Sequence, residues 1–100
     1  NPSTDAEIWL EEASAGLAPV PVAVAADLGT KGGAQVISLG QGKFAKAGIR
    51  KGFIITKINS RSIGEPRDVS VAFEDFEGGL LVEGLYPSGQ KAYYGMAVSH

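Results

Sequence analysis

The sequence predicts a small α+β domain in which a curved antiparallel β-sheet is covered by one principal helix. Three observations support this prediction. Residues 53–59 form an almost unbroken run of β-branched and aromatic side chains, residues 65–76 contain the one long helical pattern, and two apolar segments near the C-terminus flank a turn at residues 87–90. With 100 residues, of which 44% are hydrophobic, the chain is long enough for one domain and not for two.

Charge and composition narrow the classes of function. The formal net charge is −2, from nine basic and eleven acidic residues, and no polybasic run indicates nucleic acid or an anionic membrane as a partner. The absence of cysteine excludes disulfides, thiolate metal sites and cysteine nucleophiles. The longest apolar stretch, residues 17–26, is interrupted by Pro19 and Pro21 and is too short to span a bilayer. Because the N-terminus lacks the residue order of a secretion signal, we interpret the chain as an excised or mature segment.

The first third is predicted to contain one strand and one short helix. Residues 1–6 are polar and are expected to be disordered or frayed. Residues 7–13 alternate imperfectly, which predicts a strand with Ile8 and Leu10 on one face and Trp9 on the other. The two prolines that follow argue against a central strand, and residues 22–28 are predicted to form a short helix that ends at the next glycine.

The middle of the chain is predicted to alternate strands with tight turns. Residues 34–39 predict a strand, and the segment GKFAKAG, residues 42–48, predicts one or two helical turns that end at Gly48 in a left-handed conformation. Residues 53–59 predict a strand packed on both faces. Asn59-Ser60 predicts a turn into a brief return strand.

The last third predicts the long helix and a β-hairpin. Pro66 suits the first turn of the helix, where Glu65 and Asp68 lie near the positive end of the helix dipole. An apolar stripe at helical spacing consists of Val69, Ala72, Phe73 and Phe76. Residues 80–87 and 91–98 are predicted to pair around the turn, and the three tyrosines of this hairpin, Tyr86, Tyr93 and Tyr94, fit cross-strand pairs better than a binding stripe.

A glycine motif superficially suggests a nucleotide site. Residues 40–45 fit the dinucleotide fingerprint G-x-G-x-x-G/A and follow a predicted strand. That fold requires a crossover of roughly a dozen or more residues, usually helical, whereas the longest glycine-free piece between Leu39 and Phe53 is residues 43–47. We therefore predict no nucleotide and no other cofactor. The glycines instead turn the chain sharply, and the side chains expected to close one end of the sheet are Phe44, Ala45 and Ile49.

Two segments, GKFAKAGIRKGFIITKINSRSI and the helix PRDVSVAF, resemble the core signature of a PDZ domain. In that family a turn of small residues precedes Ala-Gly-Leu/Ile, two further residues, Gly-Asp and a strand ending in Asn-Gly. The matching residues are Ala47-Gly48-Ile49, Arg50-Lys51, Gly52, residues 54–58 and Asn59. The resemblance covers about residues 34–98 and, less clearly, the first third, so residues 7–98 are interpreted as a single PDZ domain.

The order of the elements is similar to that of the circularly permuted PDZ domains in bacterial HtrA/Deg serine proteases. More narrowly, GLYPSGQKAYYGMAV resembles the end of the last PDZ domain in such proteases from Bacteroidetes-type bacteria. The resemblance implies a PDZ-like, circularly permuted fold, a curved antiparallel sheet or partial barrel capped by one long and one short helix. It also implies a periplasmic or cell-envelope location and a role in protein quality control.

PDZ domains bind peptides by β-strand addition, with a pocket between the paired strand and the long helix that reads the terminal side chain. Carried over to this sequence, the resemblance implies that the peptide pairs along Ile8, Trp9, Leu10 and Glu11. The wall of the pocket then comes from Val69, Ser70 and Phe73. The implied partners are C-terminal or extended peptides of unfolded proteins, together with the protease domain or other PDZ domains of the same full-length chain, and no nucleic acid or metal.

Two departures from the family pattern bear on this site. Phe53 stands where the family has an aspartate that stabilises a turn. The carboxylate-binding loop, an apolar-Gly-apolar triplet in the family, has its best local match in residues 8–10, with Trp9 in the place of glycine. A degenerate PDZ domain is therefore the second hypothesis, with a groove filled by its own chain and a role in oligomer assembly or interdomain contact.

Structural interpretations stand beside the functional ones. Val69 and Phe73 also fit as plain core residues of an amphipathic helix, and an exposed Trp9 suits either a contact surface or a cover over the open end of the sheet. The acidic cluster Glu74, Asp75 and Glu77 lacks the ligand spacing of a calcium loop and is expected to be a solvated face. The lone histidine, His100, is terminal, so this chain is predicted to lack a catalytic triad and not to be an enzyme by itself.

Overall fold

The computed structural model describes residues 7–98, which form one antiparallel sheet of seven strands together with three helices. The predicted fraying of residues 1–6 lies outside the described residues. The strands are β1 (Ile8–Leu10), β2 (Ala15–Pro19), β3 (Ala34–Leu39), β4 (Ile54–Ile58), β5 (Arg61–Ser62), β6 (Gly78–Leu85) and β7 (Lys91–Val98). The helices are α1 (Val22–Leu28), α2 (Lys43–Ala47) and α3 (Pro66–Asp75).

The strands follow the order β1-β2-β3-β4-β6-β7, and β5 pairs with β4 beside this path. Each pairing is antiparallel. The predicted α+β class with an antiparallel sheet is therefore confirmed. The antiparallel pairing of β3 with β4 also excludes the dinucleotide interpretation of the glycines between them, because that fold needs parallel neighbours.

The N-terminal third differs most from the prediction. Residues 7–13 were expected to form one strand, but β1 ends at Leu10 and a tight turn leads into β2, which pairs back on it. In this turn Ser14 has a positive φ of 53°. The expectation that the prolines exclude a central strand is also wrong, because β2 lies between β1 and β3. Pro19 is the last residue of β2, where a missing N–H interrupts little of the ladder.

The predicted bounds of α1 are confirmed, and α2 lies within residues 42–48, the segment predicted to contain helical turns. α1 ends at Gly29, with φ 71°, and α2 ends at Gly48, with φ 98°, both in the left-handed region that glycine adopts without a steric cost. Phe44 and Ile49 are buried as predicted, but Ala45 is exposed. The prediction for Ala45 was wrong because neighbouring residues of a helix point about 100° apart. The resemblance implied one long and one short helix, whereas the structure contains one long helix and two short ones within residues 7–98.

The sheet is buried on both faces at β4, as its continuous apolar sequence predicted. Ile55 faces the main core, where the apolar stripe of α3 packs. Ile54 faces the other way into a second cluster with Val20 and Ala25, which is covered by α1. Within the main core, the ring of Phe73 meets that of Phe44 edge-on, with 6.0 Å between centroids.

The predicted turns at both hairpins are confirmed. Asn59 and Ser60 both have positive φ, of 50° and 70°, which suits a two-residue turn between β4 and β5. The Asn59 side chain ties this turn to β6, because its Oδ1 accepts the Leu81 N–H at 2.7 Å and its amide donates to the Gly79 carbonyl at 3.3 Å. The β6–β7 hairpin runs in continuous register from Leu85↔Lys91 to Gly78↔Val98.

Candidate functional site

The two halves of the predicted peptide site lie side by side in the fold. β1 is an edge strand of the sheet, and among residues 7–98 its one strand neighbour is β2. α3 packs against β1, β2 and β3, so Ile8, Leu10 and the helix residues named from sequence belong to one region. The sequence interpretation therefore selected two segments, residues 8–11 and 69–73, that are distant in the chain and lie close together in the fold.

The seven residues of the predicted peptide site differ in how far they are buried. Val69 and Phe73 have no exposed surface and belong to the main core, and Leu10 is 6% exposed. Ile8 and Ser70 are half-buried, and Trp9 and Glu11 are exposed. The helix residues thus pack as the plain core interpretation describes, and an incoming side chain would meet Val69 or Phe73 only after α3 had moved away from the sheet.

Trp9 is the most exposed aromatic side chain of this region. It is 54% exposed and sits on the opposite side of β1 from Leu10, as the alternating pattern predicted. Its strand partner is Gly16. A methyl group placed at Gly40 would lie 3.8 Å from the indole, so glycines flank the ring. An exposed tryptophan on an edge strand offers a large apolar contact beside unpaired backbone groups.

The sequence interpretation missed the apolar-Gly-apolar triplet Ala15-Gly16-Leu17. The triplet starts β2, which lies next to β1 and is also contacted by α3. A Cβ at Gly16 would collide with the Ser38 hydroxyl, so a larger residue at this position needs the Ser38 side chain to shift. The triplet is visible in the sequence, but a single strand over residues 7–13 leaves no place for the turn before Ala15.

A second aromatic group lies at the far end of the sheet. Tyr86 and Tyr94 share a hydrogen bond of 2.5 Å between their hydroxyl groups, and both rings pack on Phe53 at centroid distances of 5.0 and 5.1 Å. The Arg50 backbone N–H donates to the Tyr86 hydroxyl at 3.2 Å. Burial, followed by the bond to Tyr86, raises the pKa of Tyr94 to about 12. This cluster borders an open cleft of about 500 Å³ between the hairpin turn and Arg50.

The departure at Phe53 has a structural explanation. The side chain is fully buried and both tyrosine rings pack on it, which accounts for an aromatic residue at this position. At the start of α3, the Asp68 carboxylate accepts the N–H groups of Gly64 at 2.9 Å and Glu65 at 3.3 Å. This arrangement fixes the first turn of the helix.

The acidic cluster at the end of α3 is exposed, as predicted, and Asp75 pairs with Arg61 of β5 at 2.7 Å. Within residues 7–98, no group of three or more His, Asp or Glu side chains is arranged to hold a metal ion. No helix in the described part of the chain is long and apolar enough to cross a membrane. His100 lies outside the described residues.

No protein-family model matches this chain, and no curated protein matches it well enough to identify a relative.

Proposed function

We propose that this domain is a PDZ-like protein-binding module that takes up C-terminal or extended peptide segments by strand addition at β1. The single observation that carries the proposal is the placement of β1 as an edge strand beside the one long helix, with Trp9 exposed on it. An edge strand presents unpaired N–H and C=O groups that an extended peptide can bind. The PDZ resemblance of residues 34–98 supports the same assignment.

The burial of α3 limits how such a module selects its ligand. Since Val69 and Phe73 have no exposed surface, a side-chain pocket at this helix forms only when the ligand displaces packed side chains. Recognition then depends mainly on the peptide backbone and on Trp9, with Ser70 and Glu11 at the border. We therefore expect a broad preference for apolar extended segments, which suits the binding of unfolded proteins.

The wider role that we propose rests on the resemblance to HtrA/Deg proteases. In that role the module regulates or targets a serine protease domain elsewhere in a longer chain, in the periplasm or cell envelope. The domain itself contributes binding and no catalysis. Addition of the purified domain to casein is expected to give no cleavage, and hydrolysis that copurifies with it through successive columns would contradict this part of the proposal.

A second candidate function is favoured by a specific observation. β1 pairs with β2 at Ile8↔Leu17 and Leu10↔Ala15, beside α3 and next to the triplet Ala15-Gly16-Leu17. In this alternative β1 is a built-in ligand that fills the groove, and the domain serves oligomer assembly or interdomain contact. β1 therefore has two possible roles. As a docking strand it pairs with an incoming peptide, and as a plug it occupies the position beside β2 where a peptide would bind.

Peptide binding tests the main proposal directly. Trp9 is the sole tryptophan, so intrinsic fluorescence reports on ligands that pair along β1. We would titrate a library of apolar C-terminal peptides and the same peptides with amidated C-termini. Binding that depends on Trp9, measured by calorimetry for Trp9→Ala and for the exposed control Val22→Ala, supports the proposal. An absence of binding across the library would remove its peptide-recognition half.

Deletion of residues 1–10 separates the two interpretations of β1. If β1 is the docking strand, the shortened chain loses peptide binding. If β1 is a plug, the edge of β2 becomes free and peptide binding appears or strengthens. Circular dichroism must first show that the shortened chain is folded, and Trp9→Pro, which removes one N–H from the same strand, provides a second variant for the comparison.

A further inference from the structure

The other edge of the sheet, β7, has an outward-facing row of backbone groups. Leu81, which lies opposite Gly95, uses both of its backbone groups on Asn59: its C=O accepts the Asn59 N–H at 2.9 Å, and its N–H donates to Asn59 Oδ1 at 2.7 Å. Leu81↔Gly95 is thus a non-hydrogen-bonded pair, in which the Gly95 N–H and C=O point away from β6. Ala97, two residues on, points its groups the same way.

These outward groups border a cleft that is open to an extended segment. A cleft of about 280 Å³ lies between α2 and the last part of β7, and it is lined by Lys43, Lys46, Ala47, Gly95, Met96 and Ala97. A Cβ at Gly95 would meet nothing within 4 Å, so the face of the strand is open at this position. β7 has eight residues in regular register and, among residues 7–98, β6 is its one strand neighbour.

Charge along the chain selects the partner of this edge. The stretch from residue 28 to residue 64 contains no acidic residue. Its basic residues are Lys31, Lys43, Lys46, Arg50, Lys51, Lys57 and Arg61. Two of these lysines line the cleft, Arg50 lines the neighbouring cleft at the tyrosine pair, and Lys91 begins β7. An acidic chain lying along β7 would therefore pass Lys43 and Lys46 at the cleft, whereas Lys91 at the start of the strand lies in a pocket shared with Glu83.

The geometry points to a second protein-binding surface, at which an acidic extended segment of another protein pairs with the outer edge of β7 between Lys91 and Val98. The backbone groups of Gly95 and Ala97 supply hydrogen bonds, and Lys43 and Lys46 attract alternate carboxylates of the incoming strand. Lysine side chains near an edge also discourage uncontrolled pairing, which makes the surface selective for acidic partners. This surface is separate from the β1 edge and does not depend on the function proposed for β1.

A fluorescein-labelled peptide of about eight alternating glutamate and valine residues matches the length of β7 and tests the surface by anisotropy. Gly95→Pro removes one outward N–H without touching the β6–β7 ladder, whereas Gly95→Ala keeps that N–H and adds a methyl group in open space. We expect Gly95→Pro to weaken binding about tenfold and Gly95→Ala to leave it within about twofold. Lys43→Glu combined with Lys46→Glu should weaken binding at least about tenfold, and added salt should weaken it in the wild type.

Several outcomes would overturn the proposal. They are equal binding by the Gly95→Pro and Gly95→Ala variants, equal affinity for a lysine-valine peptide of the same length, and undiminished binding by the glutamate peptide when its alternate backbone nitrogens are methylated. Sedimentation of the free protein tests whether a second copy of this chain pairs with the β7 edge. Dimers that Gly95→Pro dissociates, in the absence of peptide binding, would assign the edge to a second copy of this chain.

Discussion

The two edges of the sheet differ in length, support and charge. β1 has three residues, is backed by α3, and lies among the acidic residues Glu7, Glu11 and Glu12. β7 has eight residues in unbroken register and borders a lysine-lined cleft. A side-chain pocket beside the short β1 edge forms only if the packing of α3 yields, whereas the long regular β7 edge can pair without such a change. The two proposed binding surfaces therefore differ in the free energy needed to expose them.

The largest expected effect comes from removing the packing behind β1. Phe73→Ala should lower the free energy of unfolding by about 3–5 kcal/mol, because the ring is fully buried against Phe44. Val71→Ala, on the exposed side of the same helix, should change it by less than about 1 kcal/mol. Urea denaturation of both variants measures the difference. Similar losses for the two variants would show that α3 does not hold this edge.

A smaller change at β1 itself tests whether the two edges are independent. Leu10→Ala should cost about 2–4 kcal/mol, since Leu10 is 6% exposed and anchors the end of β1 in the core. Hydrogen exchange measured by NMR should become faster for the amides of β1 and β2. The amides of β7 that face β6 should keep their protection in the same sample. An equal increase at both edges would mean that the sheet opens as one unit and would remove the distinction.

The tyrosine pair near the β7 edge gives a pH-dependent test. The pKa of Tyr94 is raised to about 12, first by burial and then by the bond to Tyr86. The unfolded phenol titrates near 10, so the stabilisation is complete below about pH 10 and is lost as pH rises through about 12. Tyr86→Phe should lower this pKa toward its ordinary value and cost about 1 kcal/mol at neutral pH. Absorbance at the tyrosinate band follows the titration, and an unchanged titration in the variant would contradict the assignment.

Charge reversal beside β1 should have the smallest effect on folding. Glu11→Lys combined with Glu12→Lys changes two exposed side chains and is expected to alter the free energy of unfolding by less than about 1 kcal/mol. The same variant sharpens the electrostatic side of the comparison, because binding of the glutamate-valine peptide to β7 should remain within about threefold of wild type at physiological salt. A large gain in affinity would place the acidic peptide at β1 instead.

The elements with strong local signals could be predicted from the sequence. The C-terminal ends of α1 and α2 follow from glycines that adopt left-handed φ, and the double-sided burial of β4 follows from its adjacent apolar residues Ile54 and Ile55. Asn59 likewise predicted the turn after β4, and Pro66 predicted the start of α3. These features depend on residues within a few positions of each other, which is why single-sequence reasoning reaches them.

The N-terminal hairpin could not be predicted in the same way. Its four-residue turn contains no glycine, and Ser14 adopts a positive φ that its residue type does not announce. The pairing of Leu10 with Ala15 is stabilised by the shared core under α3. The same applies to Ala45, whose apolar character suggested burial although its helix turns it outward. For the hairpin the deciding contacts come from a distant part of the chain, whereas for Ala45 the direction of the side chain follows from the geometry of its own helix.

The sequence by itself determined the class of fold, most of the elements and the segregation of basic residues between positions 28 and 64, because each depends on residue type and local spacing. Tertiary structure alone decided which strands form the two edges, which face of α3 is buried, and which backbone groups of β7 point outward. Edges are a property of strand order, and strand order is set by non-local pairing that no local pattern encodes.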